Sequence, residues 1–186
     1  MSENEKGKVE YKETLNLPQT TLSMRANATV KELETQKFWA EKDVYRKNIA
    51  QRDKANSFIL HDGPPYLSSE KIHVGTALNK ILKDILIRYK SQRGYYAPYI
   101  PGYDGHGLPI ENKVVKTIKG GREAITPGEL RQKCREYAAK SLKGQESEFK
   151  RLGVLGNWEN PYLTINPEFE AEQIRVFGQM YKNGYV

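Results

Sequence analysis

The chain has 186 residues, enough for one domain that buries about 70% of its unfolded surface. Thirty Lys and Arg against twenty-three Asp and Glu leave a net charge of +7, and the one cysteine, Cys134, excludes an internal disulfide and a thiolate zinc cluster. The first ten residues are too polar for a signal peptide, and no apolar run approaches the roughly 20 residues that a bilayer requires. We therefore expect a soluble protein of a reducing compartment, either the cytoplasm or a plastid stroma, without a membrane partner.

Positive charge is concentrated between Lys71 and Arg93, where six basic residues and one acidic residue supply five of the seven net charges. Phosphate groups are the natural partners of such a segment. A solvated surface explains the same excess, so charge alone does not decide between these interpretations.

The amino-terminal part of the chain divides into a polar segment and a predicted helix. Residues 1–20 are polar with scattered Leu, which predicts a flexible segment and leaves residues 21–186 as the folded domain. Thr29 and Glu32 have the spacing of a capping box, which predicts a helix start. The apolar side of this helix would carry Leu33, Phe38 and Trp39.

A strand, a loop, a helix and a second strand are predicted next. Phe58–His61 is typical of a short buried strand that the turn Gly63-Pro64-Pro65 ends, and Tyr99–Ile100 is the second candidate strand. The helix between them runs from about Gly75 to Gln92 and ends at Gly94. Its apolar stripe, expected to face the core, contains Leu78, Leu82, Ile85 and Tyr89.

Two further helices have clear start signals. Thr126, Pro127 and Glu129 form a capping box with a helix-compatible proline, and Asn166-Pro167 opens the last helix, which Gly184 stops. Their apolar faces carry Leu130, Cys134, Tyr137 and Leu142 on the first, and Ile174, Phe177 and Tyr181 on the second. The order of strands and helices predicts an α/β domain with a parallel sheet and flanking helices, and the two strands side by side and parallel.

The candidate functional residues follow strands or begin a helix. Ligands of open α/β sheets bind where strands end, which is where His61, the glycine-proline turn and Asp104 are expected. His73-Val74-Gly75-Thr76 begins the basic helix, where free N–H groups favour phosphate. We predict that Gly63, Pro64, His73, Gly75 and Asp104 converge on one cleft at the carboxyl edge of the sheet. No G-x-x-x-x-G-K-[ST] sequence is present, which excludes a P-loop. The alternative is a metal site, whose ligands would be His61, His73, Asp104 and His106.

Three longer segments carry a resemblance to a known family. FILHDGPPY (Phe58–Tyr66), HVGTALNKILKD (His73–Asp84) and PGYDGHGLPIE (Pro101–Glu111) resemble isoleucyl-tRNA synthetases, in the same order and with nearly the same gaps. NLPQTTLSMRANA near the start and LGVLGNWENPYLT (Leu152–Thr164) are similar to the cyanobacterial and plastid type of this family. The resemblance covers about Tyr11 to Val186.

The resemblance implies a fold, a reaction and residue roles. The fold is the first half of a class I synthetase Rossmann-like nucleotide-binding domain, ending before the editing insertion. Such enzymes activate isoleucine with Mg2+ and ATP to an acyl-adenylate, and then acylate tRNA(Ile). By position, His73, Gly75 and Thr76 would bind ATP, with His73 and Thr76 in the catalytic signature. Gly63 and Pro64 would line the isoleucine pocket, and Asp104 would bind the substrate ammonium.

The chain departs from the family pattern at three places. Thr76 replaces the last histidine of the signature, and Tyr103 stands where the family usually has Trp. The Ala-Asn-Gly turn is replaced by Leu67–Lys71, which puts the acidic Glu70 where the triphosphate must come. We therefore expect an inactive isolated chain that requires a partner segment to supply the rest of the fold. The alternative is a non-catalytic paralogue that binds ATP, tRNA or a partner chain.

Overall fold

The computed structural model describes residues 11–186 of the chain. They form six α-helices and two short strands in mixed order. The helices are α1 (Ala28–Glu41), α2 (Val44–Ala50), α3 (Val74–Gln92), α4 (Leu108–Val115), α5 (Pro127–Arg151) and α6 (Pro167–Lys182), and the strands are β1 (Gly102–Tyr103) and β2 (Tyr162–Leu163). Two 3-10 turns, Tyr11–Thr14 and Gly121–Ala124, complete the order. The first half of the predicted flexible segment, residues 1–10, lies outside the described residues.

The strands form a small parallel sheet, as the predicted α/β class requires. Gly102 of β1 is opposite Tyr162 of β2, and the two strands run in the same direction. Two isolated parallel bridges, Ser57 with Tyr96 and Tyr66 with Asp104, place residues 57–66 on the other side of residues 96–104. The two segments predicted to lie side by side and parallel therefore do so, and α3 connects them.

The predicted positions of the two strands are wrong. Phe58–His61 has no strand pairing beyond the bridge at Ser57, and the regular strand after α3 is Gly102–Tyr103 rather than Tyr99–Ile100. Nine residue steps separate the two bridges on one segment and eight on the other, so a ladder between them would require a bulge. Pro98 and Pro101 also remove two of the N–H groups that such a ladder needs.

Helix ends follow the local sequence signals with one exception. Thr126 Oγ1 accepts from the Glu129 amide at 3.3 Å while Glu129 accepts from the Thr126 amide at 3.0 Å, so the predicted capping box of α5 is confirmed. Gly94 and Gly184, both at positive φ, follow α3 and α6 as predicted. The capping box predicted at Thr29 is wrong, because α1 begins at Ala28 after a left-handed Asn27 that makes no side-chain cap.

The core lies between α5 and the sheet and continues beneath α3. One cluster of buried residues comprises Leu67, Tyr103, Ile110, Ala138 and Phe149, and a second comprises Ile87, Ala97, Tyr99 and Val154. The face predicted for α5 is confirmed, since Leu130 is buried and Cys134, Tyr137 and Leu142 pack against the first cluster.

The predicted apolar faces of the other helices do not face the core. Every residue of the predicted α3 stripe is more than half exposed, and so are Leu33 and Phe38 of α1 and all three predicted residues of α6. The residues that α3 buries are Lys80, Ile87 and Ser91. Within residues 11–186 no helix is both long and apolar enough to span a bilayer.

A buried ion pair explains the orientation of α3. The Asp62 side chain is fully buried and accepts from Lys80, from Lys83 Nζ at 2.7 Å and from the Gly102 amide at 2.9 Å. Lys80 Nζ also donates to the Tyr99 hydroxyl at 2.9 Å. Burial raises the pKa of the Asp62 carboxyl, but Lys80, Gly102 and Lys83 outweigh it, so the pKa lies below its ordinary value. Because Lys80 must reach Asp62, α3 turns its polar side inward.

Removing one member of this pair will destabilise the fold. Asp62→Asn leaves the buried Lys80 without a charged partner, which costs about 3–5 kcal/mol in the free energy of unfolding measured with urea. Lys80→Met leaves Asp62 with Lys83 as its remaining cation and should cost less than Asp62→Asn. The exposed Asp43→Asn serves as control and should change stability by less than about 0.5 kcal/mol. Losses below about 1 kcal/mol in both buried variants would contradict this role.

The same pair predicts an acid-dependent loss of stability. The pKa of Asp62 is lower in the folded chain than the roughly 3.9 of an unfolded Asp. The contribution of ionised Asp62 to the free energy of unfolding is complete above the unfolded pKa and is lost as the pH falls through the folded pKa. As the pH drops below about 4, the free energy of unfolding of Asp62→Asn should therefore fall less steeply than that of the unaltered chain.

Candidate functional site

His73 and Thr76 are joined at the start of α3. His73 is the N-cap, and its Nδ1 accepts from the Thr76 amide at 3.2 Å. Since Nδ1 accepts, the proton of a neutral ring is on Nε2, which then donates to Thr76 Oγ1 at 3.0 Å. A Cβ on Gly75 would lie 3.0 Å from His73 Cε1, so this glycine makes room for the imidazole ring. Three of the predicted ATP-binding residues thus form one local unit.

Helix α5 fixes the loop that leads to His73. The Tyr137 hydroxyl donates to the Ser68 carbonyl at 2.9 Å, and the Ile72 amide donates to Glu148 Oε2 at 2.6 Å. Gln145 Nε2 donates to the carbonyls of Tyr66 and Ser69 at 2.9 and 2.8 Å. The loop is thus held through its backbone by three side chains of a single helix.

Glu70 of this loop contacts α5 with both its side chain and its backbone. Its carboxylate lies 2.7 Å from Lys140 Nζ, so its charge is paired with α5. Its backbone packs against Gly144, where a Cβ would lie 2.5 Å from the Glu70 carbonyl oxygen. Glu70 is therefore held against α5 with its charge paired, and whether it lies where the triphosphate must come stays a prediction.

The amino-acid-binding candidates lie on neighbouring segments. The Asp104 amide donates to the Pro65 carbonyl and the Leu67 amide donates to the Asp104 carbonyl, both at 2.9 Å. Pro64 is next to Pro65, and a Cβ on Gly63 would lie 3.8 Å from Lys83 Nζ of α3. The glycine-proline turn thus lies between Asp104 and α3.

The Asp104 side chain is braced by residues that sequence reasoning did not single out. Thr164 Oγ1 donates to Asp104 Oδ1 at 3.1 Å, and the His106 amide donates to the same oxygen at 3.2 Å. Thr164 lies in a segment of the family resemblance, but only the folded chain brings it to Asp104. Asp62 and Lys80 were likewise inside recognised segments without an assigned role.

The structure thus forms two groups of candidate residues. Gly63, Pro64 and Asp104 make one group, and His73, Gly75 and Thr76 make the other. Within residues 11–186 no hydrogen bond or ion pair joins His73 directly to Asp104, and the α5-held loop and α3 connect the groups. That the two groups form one cleft stays a prediction.

Two other expectations concern charge and metal ions. Of the basic residues between Lys71 and Arg93, Lys80 and Lys83 bind Asp62, and Arg88 binds Asp84 at 2.6 Å. Three of the six basic residues of this segment are therefore paired within the fold, and whether the segment binds phosphate stays a prediction. In the described part of the chain, no three His, Cys, Asp or Glu side chains lie close enough together to hold a metal ion.

An open cleft of about 1070 Å³ lies between α1, α2 and residues 153–160. Its walls include Trp39, Tyr96 and Trp158. None of the predicted site residues lines it. The predicted site and this cleft are therefore formed by different residues.

A pair of glycine substitutions tests the support of the loop by α5. Gly144→Ala places a methyl group against the Glu70 backbone and should lower the free energy of unfolding by about 1–3 kcal/mol. Gly178→Ala is the matched control within α6, where the added Cβ meets no atom within 4 Å, and should raise it by up to about 1 kcal/mol. Thermal and urea unfolding measure the free energy of unfolding of both variants. Equal changes in Gly144→Ala and Gly178→Ala would contradict the close contact between Gly144 and Glu70.

Comparison with known proteins identifies the family. The family described as "tRNA synthetases class I (I, L, M and V)" matches residues 34–186. Isoleucine–tRNA ligases of Thermoanaerobacter sp. (strain X514), Desulforudis audaxviator and Bacillus subtilis are 51%, 54% and 52% identical to this chain over 178 residues. Each alignment covers 96% of this chain and 19% of the relative, so the chain spans about a fifth of their length.

A solved structure shows the same fold. The chain resembles the LeuRS of the ternary LeuRS–tRNA–LeuAMS complex of Agrobacterium radiobacter K84, with a TM-score of 0.64 and 23% identity. The match covers 86% of this chain and 18% of that one. The family match over most of the chain and the shared fold lead to one conclusion: this chain belongs to the class I tRNA synthetases of the isoleucine, leucine, methionine and valine group.

Proposed function

We propose that this chain is the ATP- and isoleucine-binding part of an isoleucine–tRNA ligase. The observation that carries the proposal is its 50–54% identity to isoleucine–tRNA ligases over 96% of the chain. The two groups of candidate residues support it, because one stands at the start of a helix and the other beside a strand end. In the longer protein, the isoleucyl-adenylate formed here is then transferred to tRNA(Ile).

The first group is suited to phosphate. Nδ1 of His73 accepts a hydrogen bond, so the neutral ring carries a donor on Nε2, the atom that now contacts Thr76. A rotation of the ring away from Thr76 directs that donor to a phosphate and exposes the Thr76 amide at the positive end of the helix dipole. Thr76 supplies a hydroxyl donor where the family has a second histidine. Mg2+ enters with ATP as part of the substrate.

The second group is suited to an amino acid. The Asp104 carboxylate forms a charge-assisted hydrogen bond with the substrate ammonium, and Gly63 and Pro64 leave room for its apolar side chain. Catalysis then requires that the substrate carboxylate and the α-phosphate meet in line, which is a matter of positioning and charge stabilisation. Helix α3 connects the groups through Lys83 beside Gly63 and His73 at its amino end.

The exposed apolar faces support the proposal that further polypeptide completes the site. Leu78, Leu82 and Ile85 of α3 and Phe177 of α6 are each more than half exposed. Exposed apolar helix faces of this kind are typical of sites of protein–protein contact. The relatives are about five times longer than the matched segment, so they contain polypeptide that can cover these faces.

Pyrophosphate exchange tests the proposed reaction. The chain alone should show no isoleucine-dependent exchange above background, because it holds the triphosphate from one side. A chimera in which this chain replaces the aligned 178 residues of the Bacillus subtilis isoleucine–tRNA ligase should exchange. In the chimera, His73→Ala should lower the rate about 100- to 1,000-fold, as expected for the loss of a preorganised donor.

The control is another helix N-cap. Asn166 stands at the N-cap of α6 without a side-chain cap bond, so Asn166→Ala should leave exchange unchanged. Robust exchange by the chain alone would contradict the need for a second part. A folded but silent chimera would support the non-catalytic paralogue, and recovery of exchange by Thr76→His would locate the defect in the signature.

A further inference from the structure

Thr164 is hydrogen-bonded to Tyr103, the last residue of β1, and to each of the three residues that follow it. Its amide donates to the Tyr103 carbonyl at 3.2 Å, and its hydroxyl accepts from the Gly105 amide at 2.9 Å. The same hydroxyl donates to Asp104 Oδ1 at 3.1 Å, and its carbonyl oxygen is 3.0 Å from His106 Nε2. Thr164 is only 9% exposed, so these bonds are sheltered from competing water.

These contacts determine how the Asp104 carboxylate is presented. Oδ1 accepts from both the Thr164 hydroxyl and the His106 amide. No described residue donates to the other oxygen, Oδ2, and the Asp104 side chain is half-buried. A carboxylate held by one oxygen in this way offers the second to an incoming cation in a fixed direction.

A second set of contacts holds the turn from outside. His106 Nε2 lies 3.3 Å from Glu170 Oε1 of α6, and Arg135 of α5 is 3.3 Å from the same oxygen. These side chains are one-third to one-half exposed, so the pairs contribute little free energy. They hold His106 Nε2 beside the Thr164 carbonyl oxygen, so the His106 ring does not donate to Asp104. Among the described residues, the Thr164 hydroxyl is the only side-chain donor to the Asp104 carboxylate.

We propose that Thr164 is a positioning residue that orients Asp104 for the ammonium group of the amino-acid substrate. The inference rests on the proposed function and assigns the orientation of that site to a residue on β2's carboxyl side. Thr164 does not touch the substrate; it acts through Asp104. Its effect is therefore confined to the amino acid and does not extend to ATP, which the start of α3 binds.

The test uses the 186-residue chain with three substitutions. Thr164→Val keeps the side-chain shape and the backbone hydrogen bond to the Tyr103 carbonyl but removes the hydroxyl. Thr164→Ser retains the hydroxyl. Thr117→Val is the control, because the Thr117 hydroxyl donates only to the Val114 carbonyl of its own helix end. NMR titrations measure the affinities for isoleucine and for ATP, and hydrogen exchange measures the protection of the Gly105 amide.

Thr164→Val should weaken isoleucine binding about 10- to 100-fold, as expected for a lost hydrogen bond to a charged group, and leave ATP affinity unchanged. It should also expose the Gly105 amide to exchange, and Thr164→Ser should recover both properties. The inference would be overturned if Thr164→Val lost the protection of the Gly105 amide but kept its isoleucine affinity. It would also be overturned if Thr164→Val lost as much affinity for ATP as for isoleucine.

Asp104→Asn separates this inference from the proposed function. If the unaltered chain binds isoleucine and Asp104→Asn abolishes binding while Thr164→Val does not, the positioning role is refuted and the amino-acid site stands. Where the isolated chain does not bind isoleucine, the same substitutions are compared in the Bacillus subtilis chimera. If Asp104→Asn binds isoleucine as well as the unaltered protein, the proposed amino-acid site is refuted and the inference with it.

Discussion

The fold depends on how one buried carboxylate is neutralised. Asp62 lies inside the protein, where an unpaired charge is prohibitively costly, and Lys80 of α3 reaches it from the neighbouring layer. The Asp62 carboxylate also accepts from Lys83 and from the Gly102 amide. The backbone carbonyl of Asp62 accepts from the Tyr162 hydroxyl at 2.7 Å. One residue thus connects the glycine-proline turn, α3, β1 and β2.

This constraint explains the arrangement of the candidate site. Gly63 and Pro64 directly follow Asp62, so the pair with Lys80 fixes the turn relative to α3, whose first residue is capped by His73. Helix α5 holds the intervening loop by its backbone, and Thr164 holds the turn at Asp104. The residues predicted to bind the amino acid and those predicted to bind phosphate are therefore held in place by three separate elements.

Local sequence signals predicted the helices better than the strands. The capping box at Thr126 and the glycines after α3 and α6 act within one turn, so they could be recognised without the fold. Strand positions depend on pairing, and here the Asp62 side chain takes the Gly102 amide that a ladder would use. The α3 face was inverted because an apolar stripe was assumed to face the core, whereas burial of Lys80 reverses it.

The candidate site was predicted from family resemblance, and its supports were not. His73, Gly75 and Asp104 stand in motifs that can be recognised in the printed sequence. The contacts that hold them join residues 58 to 79 positions apart, such as Thr164 with Asp104 and Gln145 with Tyr66, and sequence spacing does not reveal such pairs. The pairing of Glu70 with Lys140 was missed for the same reason, since Lys140 lies on a helix far along the chain.

The central claim is that both groups of residues bind parts of one isoleucyl-adenylate. The most direct measurement is the set of intermolecular NOEs between the chain and a non-hydrolysable isoleucyl-adenylate analogue. We expect the isoleucyl methyl groups to contact Gly63 and Pro64 while the adenosine contacts His73 and Gly75. Contacts to the cleft beside Trp39 and Trp158, or to one group alone, would contradict it.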